Sequence, residues 1–315
     1  MTRCVTASAP GSIMLIGEHA VVYGYPAIVA AINQRVSVRV SARSDKMICL
    51  DTGITDTVLC ERSHLPVDGK LRFVTAAVLA ISELAEQGFD LCVTSQINPT
   101  LGLGSSAAVT VASLAALSAY SGAENSMQGL HSRALAIVRA IQGRGSGADL
   151  AASTYGNVLS YRQPPSAQDI PAVSGTYDAY VDALPTPPPL SLQYSGYKTP
   201  TSEVLAKISH ARHGNEARFD ALFARMGTCA ETAIAAAQQE QWTEFAHCMT
   251  AYQNMMEDLG VSDATLNAMI ARGKTAMAVK ISGSGLGDCV VAMGRPPAGF
   301  TPVGIDPEGV RIHVD

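Results

Sequence analysis

The segment from Leu91 to Tyr120 constrains the fold most. Leu91 to Ile97 alternates apolar and polar residues, as a half-buried strand does, and Asn98-Pro99 breaks it. Thr100-Leu-Gly-Leu-Gly-Ser-Ser106 follows and opens directly into a small-residue helix predicted over Ala107 to Tyr120. Glycines allow close approach of backbone to a ligand, and a helix N-terminus presents free N–H groups and a positive dipole end. Ser105 and Ser106 add hydroxyls that could donate to a phosphate or ligate a divalent ion. The segment therefore predicts an anion cradle or, alternatively, a plain turn with a serine N-cap.

Around it the pattern is mixed. Strands are predicted at Val36–Ala42, Gly156–Tyr161, Met277–Ile281 and Asp288–Met293, with an apolar strand ending at Ile16. Helices are predicted at Phe73–Gln87, with Gly88 as C-cap, and at Gln128–Ile141, which a loop over Gly143–Asp149 ends. Further helices are expected over Thr201–His210, Glu216–Glu240, Thr243–Leu259 and Asp263–Arg272. The order is α+β, not a strict β-α-β-α alternation. Pro185-Thr-Pro-Pro-Pro189 cannot continue a helix or a central strand. It divides the 315 residues into two expected domains, 1–188 and 189–315.

Composition excludes several classes. Residues are 47% hydrophobic and 16% charged, with a net charge of −5. That is too apolar for disorder and too acidic for a broad nucleic-acid face. The longest nearly apolar run, Ala107–Ala119, falls short of the roughly 18 residues of a membrane span. Seven scattered cysteines without a C-x-x-C pair, and an N-terminus without a secretory h-region, predict reduced thiols and a cytoplasmic location. His210 and His213 have no acidic or cysteine partner nearby and are expected in a solvated loop or helix end.

Two further glycine loops complete the pattern. Gly17-Glu-His-Ala-Val-Val-Tyr-Gly24 places Glu18 and His19 at a strand end, and Ser282-Gly-Ser-Gly-Leu-Gly287 separates the last predicted strand pair. Common phosphate motifs do not fit. Gly102, Gly104 and Ala107 satisfy G-x-G-x-x-A, but the acid 22 residues on, Glu124, falls in a turn between helices. Gly273-Lys274-Thr275 lacks the first glycine of a Walker loop, and H-R-D, D-F-G and G-x-S-x-G are all absent.

Together the three loops resemble the GHMP kinase family, in order and across nearly the whole chain. The matching segments are Ala9-Pro-Gly…Gly17-Glu-His-Ala-Val-Val-Tyr-Gly24, Pro99…Gly102-Leu-Gly-Ser-Ser-Ala-Ala108 and Lys280-Ile-Ser-Gly-Ser-Gly-Leu-Gly-Asp-Cys289. Within the family, Gly17–Gly24 and Leu259-Gly-Val-Ser262 are most similar to mevalonate kinase, whereas Gly287-Asp-Cys289 also resembles phosphomevalonate kinase. The resemblance implies an N-terminal ribosomal-protein-S5-like α/β domain and a C-terminal ferredoxin-like α+β domain. It implies transfer of the ATP γ-phosphoryl group to a hydroxyl of a small carboxylate, mevalonate foremost, with MgATP as cosubstrate. Phosphomevalonate kinase, a related decarboxylase and a non-catalytic binding protein of the same fold are the alternatives.

By the same resemblance, Asp149 is the catalytic aspartate and Ser106 contacts Mg²⁺. Gly102, Leu103, Gly104, Ser105, Ser106 and Ala107 hold the nucleotide. Glu18, His19, Ser146, Gly283, Ser284 and Gly285 face the acceptor. The partners implied are small molecules, not nucleic acid or membrane, with a homodimer left open.

Two positions depart from the family. Ser12 stands where mevalonate kinases carry a lysine beside the aspartate, and Val138 where they carry a glutamate that ligates Mg²⁺. Arg144, five residues before Asp149, is the first candidate for the missing cation, with a catalytic role; Lys198 is the second.

Overall fold

The computed structural model describes residues 3–98, 101–123, 125–143, 145–163 and 179–314. The chain begins with two long strands, β1 (Cys4–Ile16) and β2 (Ala27–Ala42), paired antiparallel along their length. Short β3 (Ile48–Asp51) and β4 (Val58–Cys60) precede helix α1 (Arg72–Leu79), and β5 (Phe89–Ser95) leads to α2 (Ser105–Ser121). Helices α3 (Met127–Gln142) and α4 (Ala148–Tyr155) and strands β6 (Val158–Arg162) and β7 (Tyr180–Leu184) complete the first half. The proline run joins β7 to β8 (Leu190–Tyr194), the first strand of a separate sheet.

After β8 come α5 (Thr201–Arg212), α6 (Glu216–Gln238), α7 (Trp242–Asp258) and α8 (Ala264–Arg272). Strands β9 (Ala278–Ser282), β10 (Cys289–Met293), β11 (Thr301–Val303) and β12 (Arg311–Val314) close the chain. The first sheet runs β12-β1-β2-β5-β3-β4, with β6 and β7 branching from the first part of β2; the second runs β11-β8-β10-β9. The fold is thus α+β with two sheets. Its last strand returns to pair with β1, so chain from beyond the proline run completes the first sheet.

Helix α2 packs on β1 and β2, and its small residues allow this close approach: Ala107, Ala108, Ala112, Ala115 and Ala116 are all buried. Helices α6 and α7 pack on each other, and α7 covers β9. One continuous apolar cluster runs from Ile13, Leu15 and Ile28 of the first sheet to Phe223, Met249 and Val290 of the second unit. That shared core fixes the two units where loops from both converge.

Three local expectations need correction. The predicted helix Phe73–Gln87 ends at Leu79, and a separate 3-10 turn forms at Ser82–Leu84. The guanidinium of Arg62 donates to the carbonyls of Val78, Leu79 and Ile81, satisfying the helix end there. Gly88 is not a cap: a Cβ on it would stand 2.0 Å from the Asp45 carbonyl oxygen, so it permits close packing of two chain segments. Asp149 is not in a loop but in the first turn of α4.

Candidate active site

Loops from both units line a cavity of about 220 Å³. Strand β1 supplies Ser12 and then the turn holding Glu18 and His19; the α2 entry loop supplies Gly102, Gly104, Ser105, Ser106 and Ala107. The loop into α4 supplies Ser146 and Asp149, the segment after β8 supplies Lys198, and the β9–β10 loop supplies Gly283, Ser284 and Asp288. Of the residues expected to hold nucleotide or acceptor, only Leu103 and Gly285 do not line it. The Leu103 side chain enters the core, while its carbonyl accepts from the Ser12 N–H at 3.1 Å. A Cβ on Gly285 would lie 2.3 Å from the Val261 carbonyl oxygen, so that glycine serves the turn. Arg144 lies outside the described residues.

The α2 entry is not the serine-capped turn that its sequence also allowed. The N-cap is Gly104 in the left-handed region, and no side chain caps the helix. Ser105, Ser106 and Ala107 of this uncapped first turn line the cavity, and a helix N-terminus favours an anion. The glycines have a second task. A Cβ on Gly102 would stand 2.3 Å from Asp288 Oδ1, and one on Gly104 would stand 2.0 Å from Ser12 Oγ. Both residues have positive φ, 68° and 66°. The loop thus folds tightly over two polar side chains at the cavity floor.

Asp149 receives a hydrogen bond from Ser12 Oγ at 2.8 Å. Burial pushes its carboxyl above the usual carboxylate range, with the Ser12 bond and the charge of Lys198 pulling the other way. Backbone around it is pinned from several sides. Tyr161 donates its hydroxyl to the Ser146 carbonyl at 2.6 Å, His131 Nε2 lies 3.0 Å from the Gly147 carbonyl oxygen, and Ser153 donates to the Pro10 carbonyl at 2.8 Å. Val138 lines the same cavity as an apolar wall.

At the other end, Lys280 is fully buried and forms an ion pair with Glu18. Burial lowers the Lys280 pKa, and the Glu18 charge partly offsets this. His19, in the left-handed region at φ 62°, places Nε2 2.9 Å from the Ser284 carbonyl oxygen. Burial is the main cause that lowers its pKa from 6.5 to about 4, so the ring is neutral near pH 7. Because a carbonyl only accepts, Nε2 carries the proton and Nδ1 is a bare acceptor. Nδ1, Glu18 Oε2 and Ser284 Oγ are buried without a hydrogen-bond partner. All three residues line the cavity, so this end leaves two bare acceptors and a hydroxyl unpartnered there.

Sequence reasoning assigned no role to Lys280 or Asp288. Each had a signal: an ionisable residue inside the apolar run Met277–Ile281, and an acid directly after the glycines of the third loop. The residues that pin the α4 entry had none, because their roles are set by which carbonyls they reach.

Comparison with known proteins finds matches along most of the chain. The model of the GHMP kinases N terminal domain matches residues 72–157, and that of the GHMP kinases C terminal matches 233–299. The galactokinase galactose-binding signature matches 2–42. A mevalonate kinase of Archaeoglobus fulgidus is 30% identical over 311 residues, covering 98% of this chain and 99% of that protein. One of Thermococcus sibiricus is 30% identical, covering 92% and 89%. Among solved structures, L. major mevalonate kinase in complex with R-mevalonate superposes with TM-score 0.74 at 21% identity, covering 96% of each chain. Lactococcus lactis galactokinase complexed with galactose gives 0.79 at 16%, covering 98% and 95%. With a relative this similar over nearly its full length, and family models matching on both sides of the cavity, the chain belongs to the GHMP kinases.

Proposed function

We propose that this kinase transfers the γ-phosphoryl group of ATP to a hydroxyl of mevalonate, giving 5-phosphomevalonate. The observation that carries the reading is Asp149, a buried carboxylate held by Ser12 on the cavity onto which the uncapped α2 N-terminus opens. Phosphoryl transfer needs little covalent chemistry from a protein; it depends on positioning and charge neutralisation. The names of the full-length relatives support mevalonate as the acceptor.

Asp149 takes the proton from the attacking hydroxyl, and its raised affinity for protons suits that task. The Ser12 hydroxyl holds the carboxylate in one orientation. N–H groups at the start of α2 and the Ser105 and Ser106 hydroxyls bind phosphate oxygens. His19 Nδ1 and Glu18 Oε2 accept from hydroxyls of the acceptor, which sets its orientation.

Mg²⁺ fits the donor set. The Ser106 hydroxyl and the Asp149 carboxylate line one cavity, and this ion needs only one or two such ligands beside phosphate and water. When bound it neutralises charge on the β- and γ-phosphates. Among the described residues lining the cavity Lys198 is the one cation, which favours an unphosphorylated acceptor over phosphomevalonate.

The test is ADP release with MgATP and mevalonate, phosphomevalonate, homoserine or galactose. Turnover is expected with mevalonate. Preference for another member of the panel would overturn the substrate; silence across it, with nucleotide still bound, would favour a non-catalytic protein.

A further inference from the structure

Charge around the cavity is unevenly matched. Among the described residues, Glu18 is neutralised by Lys280, which leaves Asp149 and Asp288 against Lys198. Asp288 is 5% exposed, its backbone is left-handed at φ 64°, and its Oδ1 lies where a Gly102 side chain would be. A carboxylate packed under an anion cradle repels phosphate unless a cation sits beside it. Lys198 Nζ lies 3.2 Å from Asp288 Oδ1, as an ion pair without an aligned hydrogen bond.

The chain around Lys198 is built to hold it there. Ser195 N–H donates to the Asp288 carbonyl at 2.9 Å, Asp288 N–H to the Tyr197 carbonyl at 2.9 Å, and Thr199 Oγ1 to the Leu286 carbonyl at 2.6 Å. Tyr197 also donates its hydroxyl to Asp263. Two segments are thus laced together; the ammonium group pairs with Asp288, and it lines the same cavity as Asp149, on which its charge also acts.

We propose that Lys198 is the cation that faces the transferring phosphoryl group, and that Asp288 positions it beside Asp149. Lys198 is catalytic in this account and Asp288 a positioning residue. The assignment rests on the phosphotransfer reading above. During transfer the bond from the γ-phosphorus to the β,γ-bridging oxygen breaks as that from the acceptor oxygen forms. ADP leaves with the bridging oxygen, and Lys198 neutralises charge on the moving group without exchanging a proton.

The experiment compares Lys198→Met, Lys198→Arg, Asp288→Asn and Arg144→Ala with the unaltered chain. The Lys198 side chain is 37% exposed, so its replacement leaves the core untouched. Lys198→Met is expected to lower kcat by about 10²–10³-fold with little change in the KM for mevalonate. By calorimetry it should weaken a non-hydrolysable ATP analogue about tenfold and ADP less than about threefold, because ADP lacks the group Lys198 faces. Lys198→Arg should retain most of the analogue affinity, and loss of the analogue-to-ADP difference in Arg144→Ala but not in Lys198→Met would assign the cation to Arg144 and overturn the proposal.

The analogue-to-ADP comparison is a readout that a structural role would not move. Asp288→Asn, which loosens the hold on Lys198, should lower kcat by a smaller factor and shrink the same analogue-to-ADP difference. Undiminished kcat in Lys198→Met, or equal weakening of ADP and the analogue, would overturn the proposal. If the unaltered chain phosphorylates nothing, the phosphotransfer reading fails, and the analogue-to-ADP comparison still decides where Lys198 points.

Discussion

Replacing His19 with Gln should remove a defined part of the protein's acid sensitivity. Gln keeps a donor for the Ser284 carbonyl but has no proton to gain. In the folded chain the imidazole pKa is lowered from 6.5 to about 4. As pH falls, the unfolded chain therefore takes up this proton first. The contribution is fully present above about pH 6.5 and is lost progressively as pH falls toward 4. At about 1.4 kcal/mol per unit, the loss is about 2 kcal/mol by pH 5 and about 3 kcal/mol by pH 4. Urea unfolding at about pH 7.5 and about pH 5 measures it. His131 is also buried with a lowered pKa, but it titrates equally in both proteins and cancels. The wild type should lose about 2 kcal/mol more than His19→Gln between the two conditions. A difference below about 0.5 kcal/mol would refute a neutral His19 with Nδ1 as a bare acceptor.

Other substitutions test neighbouring parts. Asp149→Asn should lower turnover by about 10²–10⁴-fold while raising the melting temperature at neutral pH, because burial opposes the ionised carboxyl; calorimetry and a turnover assay read both. Lys280→Met leaves the Glu18 charge buried alone and should cost about 3–5 kcal/mol in denaturant unfolding, much of it recovered by adding Glu18→Gln. Gly102→Ala puts a methyl group against Asp288 at positive φ and should weaken nucleotide binding measurably by titration. Gly53→Ala, also at positive φ but with open space around it, should cost about 1 kcal/mol of stability and leave nucleotide binding unchanged.

Much of this was legible in the chain. The strand–glycine–helix unit before Tyr120 was readable because alternation, a Pro break and small residues all point one way, and α2 forms within two residues of its expected start. The proline run lies where chain passes from the first sheet to the second, because three prolines exclude both regular structures. Local pattern failed where distant groups decide. Helix α1 stops because Arg62 reaches its carbonyls from a preceding turn, which no periodicity within the helix encodes. Strands β11 and β12 are short and partly polar, and are strands only because β8 and β1 offer them edges. At the site, the motif residues were legible as motifs, but the pairing of Glu18 with Lys280 spans 262 positions and exists only in the fold. Likewise Lys198 meets Asp288 because two segments are laced by backbone bonds, a matter of register.

The central claim is that Asp149 works on a hydroxyl of mevalonate beside a bound triphosphate. Single-turnover formation of phosphorylated mevalonate, measured in the wild type and in Asp149→Asn with nucleotide affinity determined in parallel, tests it most directly. The account predicts product within the burst for the wild type, and its loss in the variant while nucleotide affinity holds. Equal product in both proteins, or none in the wild type at saturating MgATP and mevalonate, would contradict it.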